Sequence, residues 1–146
     1  AWETIFLAAY VSKPIFILKK ELLLIPIFGW CLYLLKNVSI DRSDGVKSIK
    51  KIIESSRDHI EKKRTLIIFP EGTRVSYGEK SEIKKGVLKI LDFLKIHFLV
   101  MNHDAGKYWK KSSFIIKPGV ININTQSLNF TDDMNYLKKA ITNYFY

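Results

Sequence analysis

Short apolar runs rich in β-branched residues alternate along this chain with longer stretches in which apolar residues recur every three or four positions. Residues 14–18, 38–40, 65–69 and 98–101 are four such runs, each short enough to be a buried strand. Between the second and third runs, residues 45–63 place Val46, Ile49, Ile52, Ile53 and Ile60 at helical spacing while Lys47, Lys50, Lys51 and Arg57 fall elsewhere. That spacing predicts an amphipathic surface helix. Residues 86–95 predict a second one, with Val87, Ile90, Leu91 and Leu94 on one face. Strand, helix, strand, helix, strand is the pattern of a parallel sheet. The expected fold is therefore α/β, a mixed, mainly parallel sheet flanked by helices, with Ile40 and Phe69 ending adjacent strands.

Further along, residues 114–116 and 120–123 flank Pro118-Gly119 and predict two late strands joined by a turn, with an orientation antiparallel to the rest open to them. Thr131 is expected to cap a final helix whose buried stripe is Met134, Leu137, Ile141, Tyr144 and Phe145. At 146 residues the chain has the size of one domain, and one globular unit over residues 1–146 is expected. The longest uncharged apolar stretch, residues 22–35, carries Pro26 and Gly29 and is shorter than the roughly 20 residues a membrane-spanning helix needs. Its Cys31 is the single cysteine, so no intramolecular disulfide can form, and burial as a small hydrophobe is expected. The chain opens on Ala1-Trp2-Glu3, without a signal-peptide pattern, and reads as a piece of a longer protein.

Charge narrows the partner class. Lys and Arg total 24 against 14 Asp and Glu, a formal charge of +10 that draws polyanions or anionic membranes. A nucleic-acid-binding module would use Lys47, Lys50, Lys51, Lys62, Lys63 and Arg64, yet the basic residues are spread along the chain with no zinc finger, aromatic strand motif or helix-turn-helix pattern. A membrane surface explains the same charge, and no nucleic acid is expected.

In an α/β sheet, ligands gather outside the carboxyl ends of the strands. After residues 65–69 comes Pro70-Glu71-Gly72-Thr73-Arg74, and after residues 38–40 comes Asp41-Arg42-Ser43. A guanidinium fork matches phosphate oxygens two at a time, so Arg42 and Arg74 are candidates to clamp one phosphate. The plainer alternative is a pair of surface ion pairs, Arg42 with Asp41 or Asp44 and Arg74 with Glu71. His59 and His97 read as structural. His103, followed by Asp104, is better placed after a strand but matches no catalytic pattern. No His, Cys or acid pair shows metal-ligand spacing.

Phe69-Pro70-Glu71-Gly72-Thr73-Arg74 resembles the third motif of the glycerolipid acyltransferases, in their lysophosphatidic acid branch. The resemblance extends along the chain. Ala1-Trp2-Glu3-Thr4 is similar to the end of the family's first motif, His-x-x-x-x-Asp, in the variant ending in Glu. Leu18-Lys19-Lys20-Glu21-Leu22 with Ile25-Pro26-Ile27-Phe28-Gly29-Trp30 resembles the segment between the first two motifs. Ile40-Asp41-Arg42 resembles the second, and residues 102–109 stand where the fourth would be, without its Pro and with His103-Asp104-Ala105-Gly106 in place of an Asn-Ser-Gly ending.

The resemblance implies acyl transfer from a thioester, on acyl-CoA or acyl carrier protein, to the free hydroxyl of lysophosphatidic acid, giving phosphatidic acid for phospholipid synthesis. No other cofactor and no metal are implied. A motif histidine three residues before Ala1 would be the general base, with Glu3 holding its imidazole. Five residues separate the two, about 140° apart on a continuous helix, so their contact requires a loop-to-helix junction there. Arg42 and Arg74 would anchor the acceptor phosphate, and Glu71, Gly72 and Thr73 would shape the acceptor pocket. The chain is expected to be membrane-associated with its active site facing the cytoplasm. Without that histidine it is expected to be an inactive lipid- or phosphate-binding fragment.

Overall fold

The computed structural model describes residues 2–41, 45–73, 75–79, 81–110 and 113–145, with Phe28 by its backbone alone. The chain divides into two compact units, Ile5–Phe69 and Pro70–Tyr146 together with Ala1–Thr4. Among the described residues no helix is long and apolar enough to cross a membrane.

In the unit Ile5–Phe69, strand β1 (Pro14–Lys19) lies between β2 (Val38–Ile40) and β3 (Thr65–Ile67), all parallel. The two neighbours share β1 end to end: Pro14, Ile15 and Phe16 pair with Thr65, Leu66 and Ile67, whereas Ile17, Leu18 and Lys19 pair with Val38, Ser39 and Ile40. β2, which ends at Ile40, and β3, which leads to Phe69, are therefore not adjacent, contrary to the expectation from sequence. β1 is the most apolar of the three, with Ile15, Phe16 and Leu18 buried, and a strand of that composition is most stable with both edges paired.

The connection from β2 to β3 is helix α3 (Gly45–Glu61), which packs against both strands. Parallel strands need such a crossover because a tight turn cannot join them. Its buried line is Ser48, Ile52 and Ser56, four residues apart, and Val46 is exposed. The apolar stripe read from the sequence is thus rotated: two small serines face the sheet and let the helix approach it, and the Ser48 hydroxyl donates to the Asp41 carbonyl.

Helix α1 (Trp2–Tyr10), a 3₁₀ helix at Lys20–Leu24 and helix α2 (Phe28–Leu34) have no counterpart in the sequence reading. Cys31 on α2 is exposed rather than buried, because α2 turns its apolar residues outward. Asn37 fixes the base of this excursion: its Oδ1 accepts from the Phe16 amide at 2.9 Å and its Nδ2 donates to the Leu32 carbonyl at 3.2 Å.

In the other unit, β4 (Phe98–His103) pairs antiparallel with β5 (Ile123–Leu128) in a two-stranded sheet rather than extending a parallel one. Helices α4 (Lys85–Leu94) and α5 (Met134–Phe145) complete it. Ile83, Leu91, Val100 and Ile141 are buried together, with Val87, Leu88, Phe98, Leu128, Tyr144 and Phe145 packed around them. Val87 and Leu91 come from the stripe expected for α4, and Ile141, Tyr144 and Phe145 from that expected for α5, while Leu88 is not on the expected face; Ile90 and Leu137 are buried as well. The cap of α5 is Asp133, whose Oδ1 accepts from the amides of Asn135 and Tyr136; Thr131 instead accepts from the Asp133 amide one step earlier.

Residues 114–116 and 120–122 form no strand, and Phe114, Ile115, Ile116 and Val120 are exposed. Their backbone groups go elsewhere: the Lys117 amide donates to the Tyr108 carbonyl at 2.9 Å, and Gly119 passes so near the Tyr108 ring that a Cβ there would lie 1.9 Å from its Cε1. A side chain at 119 would force the Tyr108 ring to move.

Ile15 is 0% exposed near the start of β1, the strand that, among the described residues, is paired on both edges in its sheet. Ile15→Ala is expected to lower unfolding free energy by about 2–5 kcal/mol, measured by urea denaturation. A loss below about 1 kcal/mol would contradict the central placement of β1.

Candidate functional site

The segment after β3 is built as a closed loop. Ile68 and Phe69 continue past the strand, and the Phe69 ring stacks on Phe16 with centroids 6.5 Å apart and planes within 10°. Pro70 then opens a loop whose neck is closed by the Lys84 amide donating to the Pro70 carbonyl at 3.0 Å. Buried Ile83 ties that neck to the core. Within the loop Gly72 has φ +65, the left-handed region that glycine enters without steric cost. The backbone turn that sets the direction of Glu71 and Thr73 therefore depends on glycine at this position. Glu71 is half-buried and Thr73 exposed.

At the loop's far end a turn around Tyr77 and Gly78, φ +86, is held by reciprocal bonds between Ser76 and Glu79. Tyr77 packs on the segment after β4: a Cβ on Gly106 would lie 2.9 Å from the Tyr77 Cβ, and the Lys107 ammonium stands 5.2 Å from the Tyr77 ring centroid. Lys107 also donates to Asp104 Oδ2 at 3.0 Å. Asp104 in turn accepts from the Asn122 amide at 2.8 Å and from Asn122 Nδ2 at 3.0 Å. Hydrogen bonds from Asn122 and Lys107 hold the Asp104 carboxyl down at about 2. One carboxylate thus joins the loop after β3, the end of β4 and the approach to β5.

Glu3 lies in the first turn of α1. Burial works against its charge, while a hydrogen bond from its own backbone amide favours the carboxylate. The His103 ring is also met edge-on by Trp2, centroids 5.3 Å apart, and its Nδ1 accepts from the Ala105 amide at 3.3 Å. That bond assigns the proton of the neutral imidazole to Nε2. The grouping of Trp2, Glu3 and His103 brings together residues far apart in the chain, and no sequence periodicity signals it.

Arg42 and Arg74 lie outside the described residues. Beside the first of them, Asp41 forms an ion pair with Lys20. Of the other histidines, His97 Nδ1 meets Asn129 Oδ1 at 2.8 Å, and His59 is pushed down by burial and then by Arg64. Among the described residues no three His, Cys, Asp or Glu side chains converge as metal ligands.

The depressed Asp104 pKa carries a pH signature. A carboxyl whose folded pKa is below its unfolded value of about 3.9 contributes stability fully present above that value and lost as pH falls through the folded pKa of about 2. Asp104→Asn should therefore lower Tm at pH 6, with the difference from the parent shrinking between about pH 4 and pH 2. A constant difference over that range, in thermal melts, would remove Asp104 from its linking role.

Residues 3–104 match the sequence family described as Acyltransferase, beginning at Glu3 and ending at Asp104. A Pseudomonas aeruginosa protein named 1-acyl-sn-glycerol-3-phosphate acyltransferase is 35% identical over 122 residues, covering 84% of this chain and 48% of that protein. A Cocos nucifera protein of the same name is 36% identical over 121 residues, 80% of this chain and 38% of its own length. This chain thus spans about half or less of these relatives. The crystal structure of the 1-acyl-sn-glycerophosphate (LPA) acyltransferase PlsC from Thermotoga maritima superposes with TM-score 0.75 at 22% identity, over 97% of this chain and 59% of that one, which establishes a shared fold. With the family match running from the first turn of α1 to the end of β4, the chain belongs to the acyltransferase family.

Proposed function

We propose that this chain forms most of the catalytic domain of a lysophosphatidic acid acyltransferase, which moves a fatty acyl group from a thioester donor onto the free hydroxyl of its acceptor to give phosphatidic acid. The single observation that carries the reading is Pro70-Glu71-Gly72-Thr73 in a loop closed at its neck, two residues beyond a parallel strand, with Gly72 at positive φ and Arg74 next in sequence. The relatives named for this activity support it. The family match crosses from one compact unit into the other, which supports treating them as one domain.

In this reading the acceptor oxygen attacks the thioester carbonyl carbon while the motif histidine takes its proton. The tetrahedral intermediate collapses with cleavage of the C–S bond, and the proton passes to the leaving thiolate. Glu3 orients the imidazole and stabilises its charge. Arg42 and Arg74 bind phosphate oxygens of the acceptor, and Glu71, Gly72 and Thr73 shape the pocket around it. The donor is acyl-CoA or acyl carrier protein, with no further cofactor. Because acceptor and product are lipids and the net charge is +10, the working site is a membrane surface, with the active site on its cytoplasmic side.

Arg74→Ala in the full-length protein is expected to raise KM for lysophosphatidate, a loss of about 1.5–3 kcal/mol in acceptor binding, with donor KM nearly unchanged. Arg74→Lys should restore only part of it, since an ammonium cannot make the two-pronged contact. Radiolabelled acyl-transfer kinetics decide the matter: an unchanged acceptor KM with a lowered kcat would overturn the phosphate assignment.

A further inference from the structure

Residues 22–35 hold no charged side chain, yet the structure turns most of the described large side chains among them outward. Leu24 is 82% exposed, Trp30 66% and Leu34 75%, and Ile25, Ile27, Cys31, Tyr33 and Leu35 are exposed with them. At about 100° per residue, Tyr33, Trp30, Leu34, Cys31 and Leu35 span an arc of roughly 200° around α2. A helix seated on a protein surface offers a stripe of about 100°. An exposed apolar arc twice as wide suits a medium that surrounds the helix, and fluid hydrocarbon is such a medium. The segment is too short to cross a bilayer, which needs about 20 residues.

The flanks of the segment fit the same partner. Exposed Lys19 stands three residues before it, ahead of Lys20 in its ion pair with Asp41 and of exposed Glu21, and exposed Lys36 comes directly after it. The Arg64 guanidinium donates to the Leu35 carbonyl at 3.0 Å, placing a further cation at the end of α2. Trp30 and Tyr33 join a large apolar ring to a polar tip, the combination enriched where lipid meets water. Asn37 and Arg64 fix the base, so the apolar residues are displayed from a rigid support.

We propose that the 3₁₀ helix and α2 together form an interfacial anchor, which sinks the exposed apolar residues of 24–35 among the acyl chains of an anionic bilayer while Lys19, Lys36 and Arg64 meet its phosphates. The inference rests on the lipid-substrate reading only for the choice of a bilayer as occupant. Its test uses no acyl donor, so docking can fail while acyl transfer stands, and the reverse.

The experiment attaches an environment-sensitive fluorophore to Cys31 and adds vesicles of phosphatidylcholine with phosphatidylglycerol. Emission should shift to the blue, and the label should become shielded from aqueous iodide. Leu24→Glu combined with Leu34→Glu should weaken vesicle partitioning at least about a hundredfold. Lys19→Gln and Lys36→Gln should each cost about fivefold on these vesicles and little on pure phosphatidylcholine. Circular dichroism controls for folding of the variants, and the Cys31 label reports without any substitution. A label that stays open to iodide on vesicle-bound protein overturns the proposal. So does shielding without vesicles in a dimer that the glutamates dissolve, which would make the occupant a second copy.

Discussion

Strand β1 must have hydrogen-bond partners on both edges, and its two neighbours meet that demand by dividing its length. β3 covers the first half and β2 the second, so the carboxyl ends of the two flanking strands are offset by three residues, about 10 Å at the rise of a strand. The offset shapes the exit from each strand. Beyond β3, Ile68 and Phe69 continue the chain, with Phe69 held against Phe16, before Pro70 turns away. Beyond β2, Asp41 is at once at the sheet's end, paired with Lys20 and bonded through its carbonyl to Ser48. Because β2 and β3 are parallel and separated by β1, α3 must cross over the central strand, and small residues on its sheet-facing line make room for that crossing.

Much of this is legible in the residues because burial writes a period into a sequence. The cores of β1 to β4, the extents of α3 and α4, and the stripe of α5 follow from apolar spacing. The features that sequence does not disclose have physical causes. α2 is apolar on its outward side, so hydrophobicity there does not mean burial, and Cys31 is exposed with it. The rotated face of α3 is set by steric room against the sheet, which rewards serine over valine and which a hydropathy pattern does not register. The strand order depends on which edges pair, a long-range choice that local pattern leaves open.

The site divides the same way. The hexapeptide after β3 announces itself through its residue types, and the need for glycine at 72 is met by its positive φ. The bonds that tie this loop to its surroundings, Tyr77 to Lys107 and Asp104 to Asn122, join positions far apart in the chain and carry no local signature. The same holds for Trp2 and Glu3 beside His103. Such contacts belong to tertiary structure, where a sequence motif names the chemistry but not the scaffold that holds it.

The close pass of Gly119 beneath the Tyr108 ring has an evolutionary meaning of its own. With the Lys117 amide bonded to the Tyr108 carbonyl, it pinches the chain into a neck upstream of β5. Register between β4 and β5 is decided on the sheet side of that neck, from Phe98 opposite Leu128 to His103 opposite Ile123. Insertions and deletions on the far side lengthen or shorten a loop without sliding one strand past the other. Related proteins are therefore free to vary the size and chemistry of this excursion while keeping the sheet unchanged, provided the glycine and the ring that seal it persist together.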